Sequence, residues 1–464
     1  MLLSVDSHRA SCDPAPMSSA IFSPHSQPLR VGVAGLGTVG ASVLRILRRQ
    51  ENALAARCGR AIRVVAISAR DRKRDRGVDL GGLAWFDDPV ALAKSDEVDC
   101  LVELMGGSDG PAKATVEAAL GAGKPVVTAN KALLAAHGVA LAELAESKGV
   151  ALAFEASSAG GIPVVKTLRE ALAGNTISRI SGILNGTCNY ILSRMEEEGL
   201  TFEACLKDAQ RLGYAEADPT FDVEGFDTAH KLAILTSLAF GTKIDAEAIH
   251  VEGISAITPL DLRMADELGY RIKLLGVAER TKTGIEQRVH PTMVPKSSAI
   301  AQVMGVLNAV SIDADAVREV TLVGPGAGGD PTASAVVADI ADVARGTAGL
   351  PFGLPVARLE KASRAAMQRH EGGYYVRLAV ADRPGAAASI ATRMAEADIS
   401  LESIVQRRSP EAANRDPGGR SGAPVPVVLI TYATSEAAIR AALKKVSADG
   451  HVAEPPQVIR IERE

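Results

Sequence analysis

The chain has 464 residues, enough for about three domains at the usual ~150 residues each, and its 47% hydrophobic and 23% charged composition is that of an ordinary globular protein. A net charge of −4 excludes the basic footprint of a nucleic-acid binder, and there is no apolar run of about 18 residues to span a membrane. The cysteines, Cys12, Cys58, Cys100, Cys188 and Cys205, are odd in number and never spaced CxxC, which points to a reducing cytoplasm and away from disulfides or zinc.

Residues 1–28 mix His8, Arg9 and Asp13 with prolines and serines and lack the apolar core of a signal peptide; they read as a disordered leader, with Met17 an alternative start. Residues 29–34 form an apolar strand that enters Gly35-Leu36-Gly37-Thr38-Val39-Gly40. A helix pattern (Val43, Leu44, Ile46, Leu47) and a strand over 62–67 complete a βαβ unit. The glycines allow a tight turn and let backbone N–H groups approach a pyrophosphate, so this is a dinucleotide site in a Rossmann domain. The second strand runs into Ser68-Ala69-Arg70-Asp71-Arg72-Lys73-Arg74. Arg70 and Lys73 suit the 2′-phosphate of NADP, whereas Asp71 keeps NAD open, and a solvated basic loop is the plain alternative.

Strands are expected over 98–104, 124–127 and 151–155, and their carboxyl ends, at Gly106 and at Lys131 among others, are where an open parallel sheet binds ligands. Lys131 opens a helix over 132–145; an exposed lysine on an amphipathic helix is its ordinary alternative. Residues 155–163, EASSAGGIP, form a polar turn that either holds a hard cation through oxygens or caps the helix that follows. A second, mixed sheet begins at 177–184, and Leu184-Asn185-Gly186-Thr187 turns into another helix.

Residues 213–231, GYAEADPTFDVEGFDTAHK, run into LAILTSLAF, which has almost no polar stripe and predicts a helix buried nearly all round. Asp227 and Lys231, four apart, share a face that continues into Ile234, Leu235 and Leu238; the alternative is an i,i+4 pair facing solvent. Glu216, Asp218, Asp222 and Glu224, interrupted by Pro219 and Gly225, are loop chemistry. An acidic loop that delivers one lysine onto a buried helix suits a polar substrate pocket. Strands over 272–278, 286–294 and 319–323 continue the mixed sheet, and the glycine turn 324–329, either close to a cofactor or simply a helix entry, leads to a helix over 332–344. After a linker, strands over 374–380, 399–406, 425–432 and 457–462 and helices over 386–397 and 436–447 make a separate βαββαβ, ferredoxin-like module.

Together GLGTVG at 35–40, TANK at 128–131, EASSAGGIP at 155–163, LNGT at 184–187 and the stretch 213–231 resemble the bacterial homoserine dehydrogenases, in their monofunctional form with a C-terminal ACT domain, over residues 29–464. The resemblance implies an α/β chain with a Rossmann domain (29–155), an α+β mixed-sheet substrate and dimerisation domain (156–320), a return segment on the Rossmann domain (321–350), a linker (351–373) and a ferredoxin-like ACT domain (374–464). It implies reversible, NAD(P)H-dependent reduction of L-aspartate 4-semialdehyde to L-homoserine, a step of threonine, methionine and isoleucine biosynthesis. Lys231 matches the lysine proposed as proton donor, Lys131 a lysine between nicotinamide and substrate, Asp227 a substrate-contacting aspartate and Glu216 the homoserine-binding glutamate. Glu155, with the backbone of Ser158, Gly160 and Ile162, matches a monovalent-cation site, usually sodium; Gly328 matches a glycine beside the cofactor.

Two lysines facing one carbonyl stabilise a developing alkoxide, although a water held by Lys231 serves as proton donor equally well. The resemblance further implies a homodimer or homotetramer, and threonine as inhibitor at the 382–385 turn, with an ACT domain used only for assembly as the alternative. Rival readings are a non-catalytic nucleotide- and amino-acid-sensing regulator, and an amino-acid dehydrogenase acting on a C–N bond.

Overall fold

The computed structural model describes residues 27–367, 370–381, 383–406 and 424–462. Residues 1–26 of the expected leader, Cys12, Asp382 of the expected effector turn and the 409–423 loop lie outside the described residues. No helix among the described residues is long and apolar enough to cross a membrane.

The first sheet is parallel and contains β1 (Leu29–Ala34), β2 (Ile62–Ser68), β3 (Ala84–Phe86), β4 (Cys100–Glu103), β5 (Val126–Thr128) and β6 (Leu152–Ala153), in the order β3-β2-β1-β4-β5-β6. Its strands are short and mostly apolar because helices cover both faces, which leaves little call for strict alternation. The order reverses between β1 and β4, so a crevice opens beyond their carboxyl ends, where Gly35 follows β1 and Leu104 follows β4. The helix Gly329–Arg345 returns to this domain: Ala333, Val336 and Ile340 share a core with Val33 and Leu44.

The second sheet is mixed. It comprises β7 (Ile177–Ile183), β8 (His250–Val251), β9 (Tyr270–Thr281), β10 (Gly284–Pro295), β11 (Leu307–Ala314), β12 (Arg318–Pro325), β13 (Glu371–Val380), β14 (Leu401–Gln406), β15 (Val425–Thr431), β16 (Thr434–Ser435) and β17 (Gln457–Ile461). The main path is β12-β11-β7-β9-β10-β17-β13-β15-β14, with β8 beside β10 and β16 beside the start of β13. β3, β8, β11 and β16 are absent from the sequence reading: β3, β8 and β16 are only two or three residues long, whereas β11 carries a legible alternation (Val310 and Ile312 against Ser311 and Asp313).

The C-terminal βαββαβ module, with helices Ala386–Glu396 and Glu436–Ala448 on one face, does not stand apart as the sequence reading expects. Its edge strand β17 pairs in parallel with β10, Thr292 opposite Arg460 and Met293 opposite Ile461, so two sheets become one. Buried charges bind the seam. Arg460 reaches Glu252 at 2.9 Å and Glu436 at 2.8 Å, while Tyr375 and Arg377 of β13 both donate to Asp261 at 2.8 Å. The apolar face of the substrate-domain sheet packs on the helices Gly186–Glu198 and Phe226–Phe240, and the latter orients the site.

Candidate active site

The helix Phe226–Phe240 begins at Gly225 in the left-handed region and ends at Gly241, also left-handed. It is buried on nearly every side, so its first-turn charges have nowhere to go except into the molecule. Asp227 is 4% exposed and Lys231, one turn on, 8%. Lys231 Nζ donates to Asp227 Oδ2 at 2.7 Å and to the carbonyl of Leu184 at 2.7 Å. Lys131, at the start of the helix Lys131–Lys148, approaches the other oxygen, Asp227 Oδ1, at 2.8 Å, with about a third of its side chain exposed to the cleft (34%). One carboxylate therefore clamps two ammonium groups from different domains. Burial pushes the Asp227 carboxyl up, but Lys231 and Lys131 overcome that and hold it well below the usual carboxylate range, so it stays ionised.

Asn185 extends the cluster. Its Nδ2 donates to Asp227 Oδ2 and to Asp222 Oδ1, each at 2.9 Å, while its Oδ1 accepts the N–H of Cys188 and caps the next helix. Burial and the nearby Asp227 raise the Asp222 carboxyl above its ordinary value. Asn185 and Asp222 are site residues to which the sequence reading assigned no role, although LNGT and the acidic loop contain them. Glu216 is different: it lies on the exposed part of that loop and does not line the central cavity.

That cavity, about 290 Å³, opens between the two domains. Lys131 and Lys231 lie on one side, Val39 of the glycine turn on another, and Met105, Gly106 and Asn130 come from the ends of β4 and β5. Gly160 and Gly326 complete it. A Cβ at Gly160, whose φ is +50°, would stand 2.2 Å from the Gly326 carbonyl, so this close approach requires glycine at 160, while a Cβ at Gly326 would lie 1.9 Å from the Asn308 side chain. Gly35 has φ +105°, and a Cβ there would lie 2.5 Å from the Leu104 carbonyl, while nothing stands within 4 Å of a Cβ placed at Gly37 or Gly106. The turn is thus tight below and open above, which fits a dinucleotide laid across it. Gly40 is buried in the first turn of the helix Thr38–Arg49, and Gly328 (φ +121°) starts the return helix without lining the cavity.

A second cavity of about 250 Å³ lies at Gly37 and Thr38 and its charged lining is Arg45, Arg74, Asp75 and Arg76. Arg76 is anchored by an Nε bond to the Leu36 carbonyl at 3.1 Å. Arg70 and Lys73, the residues the sequence singles out, are exposed on the same loop and do not line this cavity.

Glu155 is buried, and its two carboxylate oxygens accept the N–H groups of Val165 (2.9 Å) and Lys166 (2.8 Å), the capping role left open by its sequence. Burial, then Asp339, pushes its carboxyl up to about 7 against those two bonds. Ser158 and Ile162 are buried beside it, and the hydroxyls of Ser157 and Ser158 find no hydrogen-bond partner among the described residues. No cluster of three or more His, Cys, Asp or Glu side chains suited to a metal occurs among the described residues.

Residues 35–155 match the family model for the homoserine dehydrogenase NAD-binding domain, 163–341 that for homoserine dehydrogenase, and 374–448 that for the ACT domain. The chain is 44% identical over 443 residues to a homoserine dehydrogenase of Pseudomonas aeruginosa, covering 94% of this chain and 99% of that protein. A crystal structure of a homoserine dehydrogenase from Thiobacillus denitrificans superposes with a TM-score of 0.86 at 44% identity, over 94% of this chain and 98% of that one. A hyperthermophilic archaeal homoserine dehydrogenase in complex with NADPH matches with a TM-score of 0.61 at 25% identity, over 70% of this chain and 100% of that one. The chain, an oxidoreductase with a dinucleotide-binding domain, a mixed-sheet domain and an ACT domain, belongs to the homoserine dehydrogenase family.

Proposed function

We propose that the protein interconverts L-aspartate 4-semialdehyde and L-homoserine with NADP preferred over NAD, in the cytoplasmic synthesis of threonine, methionine and isoleucine. The observation that carries the reading is the Asp227 clamp, which holds Lys131 and Lys231 at the edge of a cavity shared with the glycine turn. The nicotinamide, when bound, exchanges hydride with the substrate carbon. Lys231 supplies or removes the proton on the substrate oxygen, directly or through a water it holds, and Lys131 adds a second positive charge against the developing alkoxide. Asp227 keeps both ammonium groups aimed at one point and takes no proton itself. Asp222, bridged to it through Asn185, receives the substrate's ammonium.

Arg74 and Arg76 support NADP, because guanidinium groups lining the cavity beyond the glycine turn suit a phosphomonoester. Glu155, Ser158, Gly160 and Ile162 hold a monovalent cation, sodium by preference, that stiffens the turn between the domains. Threonine acts through the ACT domain, and the working form is a homodimer or homotetramer.

The test is absorbance at the nicotinamide band during L-homoserine oxidation, with NADP and NAD in parallel, with and without threonine, and with sodium replaced by a bulky organic cation. Turnover favouring NADP, lowered by threonine and by sodium removal, supports each part in turn. Folded protein without turnover on either cofactor would overturn the reading.

A further inference from the structure

Two loops that line the cavity are tied together by a carboxylate to which the reaction assigns no task. Glu103, the last residue of β4, is fully buried. Its Oε1 accepts the backbone N–H groups of Met105 at 2.7 Å and Gly106 at 3.3 Å, and its Oε2 accepts the hydroxyl of Thr128 at 2.7 Å. Thr128 Oγ1 accepts in turn the N–H of Asn130 at 3.0 Å. Asn130 donates its Nδ2 to the Gly107 carbonyl at 2.7 Å and accepts the N–H of Leu133 at 3.1 Å, capping the helix whose first residue is Lys131. The chain of bonds has one direction. Every bond to the Glu103 side chain is received, Thr128 spends its only proton on it, and Thr128 is thereby free to accept from Asn130. Both walls, Met105–Gly106 and Asn130–Lys131, are set by this one group.

We propose that Glu103 is a positioning residue for the reaction, holding the Lys131 step in register with the β4 turn so that the Lys131 ammonium faces the reacting carbon. The proposal rests on the reading that Lys131 meets the substrate oxygen. A glutamine at 103 keeps the size and can accept from Met105 and Gly106, but it turns an NH2 toward Thr128. The hydroxyl must then accept twice and its own proton is left without an acceptor. Lys131 loses its anchor while the core keeps its volume.

The experiment is a double-mutant cycle on the full chain, with kcat and KM for L-homoserine and a thermal midpoint for each protein. Glu103→Gln is expected to lower kcat about 10- to 100-fold, the scale of a displacement near 1 Å in a reacting group, with a smaller change in KM. Measured in a Lys131→Met background, the same substitution should cost less than about twofold, because the group it positions is gone. Thr128→Val cuts the same chain one bond later and should repeat the pattern, which keeps the test valid if Glu103→Gln folds poorly. Equal losses from Glu103→Gln and Thr128→Val with and without Lys131 would show a merely structural role and overturn the proposal, as would unchanged kcat in both folded single variants. Wild-type turnover by Lys131→Met alone would instead overturn the reading of Lys131 itself.

Discussion

Replacing Lys231 by methionine separates chemistry from folding. Methionine keeps most of the aliphatic stem and removes the ammonium, which donates to Asp227 and to the Leu184 carbonyl at 2.7 Å each. Asp227 is not orphaned, since Lys131 at 2.8 Å and Asn185 at 2.9 Å remain. The fold therefore gains an unsatisfied Leu184 carbonyl and loses one charged bond, about 1–3 kcal/mol, rather than the about 3–5 kcal/mol of a buried ion left alone. Against a typical stability of about 5–15 kcal/mol the protein stays folded. The reaction loses its proton relay, a factor of about 10²–10⁴ in kcat, or about 2.7–5.4 kcal/mol of barrier. Steady-state oxidation of L-homoserine gives kcat, and fluorescence titration of the cofactor gives its dissociation constant, which should change little. Lys231→Arg refines the result: it restores charge without a transferable proton, so it should recover only a part of the loss. Folded Lys231→Met with wild-type kcat would refute the assignment.

Other expectations concern stability. Asp227→Asn leaves Lys131 and Lys231 without their shared counter-charge and should cost about 3–5 kcal/mol near pH 7, read by urea unfolding. Because the native carboxyl is depressed, the wild-type advantage is present above the ordinary carboxyl value of 3.8 and is lost as pH falls below it; curves that stay parallel from neutral pH into that range would contradict the clamp. His290 is buried, accepts from Arg288 Nε at 3.0 Å and is held neutral by burial and then by Arg460 and Arg288. Its native value lies well below 6.5, so the unfolded chain takes up the extra proton and stability should fall as pH drops through 6.5, at up to about 1.4 kcal/mol per pH unit. His290→Gln should flatten that slope, and an unchanged slope would assign it to other groups. Arg460→Met leaves Glu436 with Arg440, and Glu252 with Arg440 and His250, at the seam and should lower stability by about 3 kcal/mol in denaturant unfolding, a loss that would be absent if the seam were solvated.

Much of this molecule is written locally. The strand, glycine turn and helix at residues 29–49 follow from apolar run, φ requirement and periodicity within one βαβ unit, and the burial of the helix Phe226–Phe240 follows from its lack of a polar stripe. These are short-range properties, since backbone dihedrals and side-chain periods are set by residues a few positions apart. The sequence alone also named Asp227, Lys231 and Lys131 as groups of interest, the first two by their spacing on one helical face.

Tertiary structure decided what those groups do together. That one Asp227 carboxylate serves both lysines depends on two domains closing on each other, and that Asn185 joins it to Asp222 depends on how a turn after β7 packs against the helix entry. That Arg74 and Arg76, and not Arg70 and Lys73, line the cavity beyond Gly37 depends on the course of one loop, anchored where Arg76 meets the Leu36 carbonyl. The fusion of the ACT sheet to β10 likewise needs an edge strand to find another edge far away in the chain. Composition and periodicity say which face of an element must be buried, but many partners can bury it. Only the simultaneous packing of all elements, with every buried charge and backbone group requiring a partner, selects which distant residues meet.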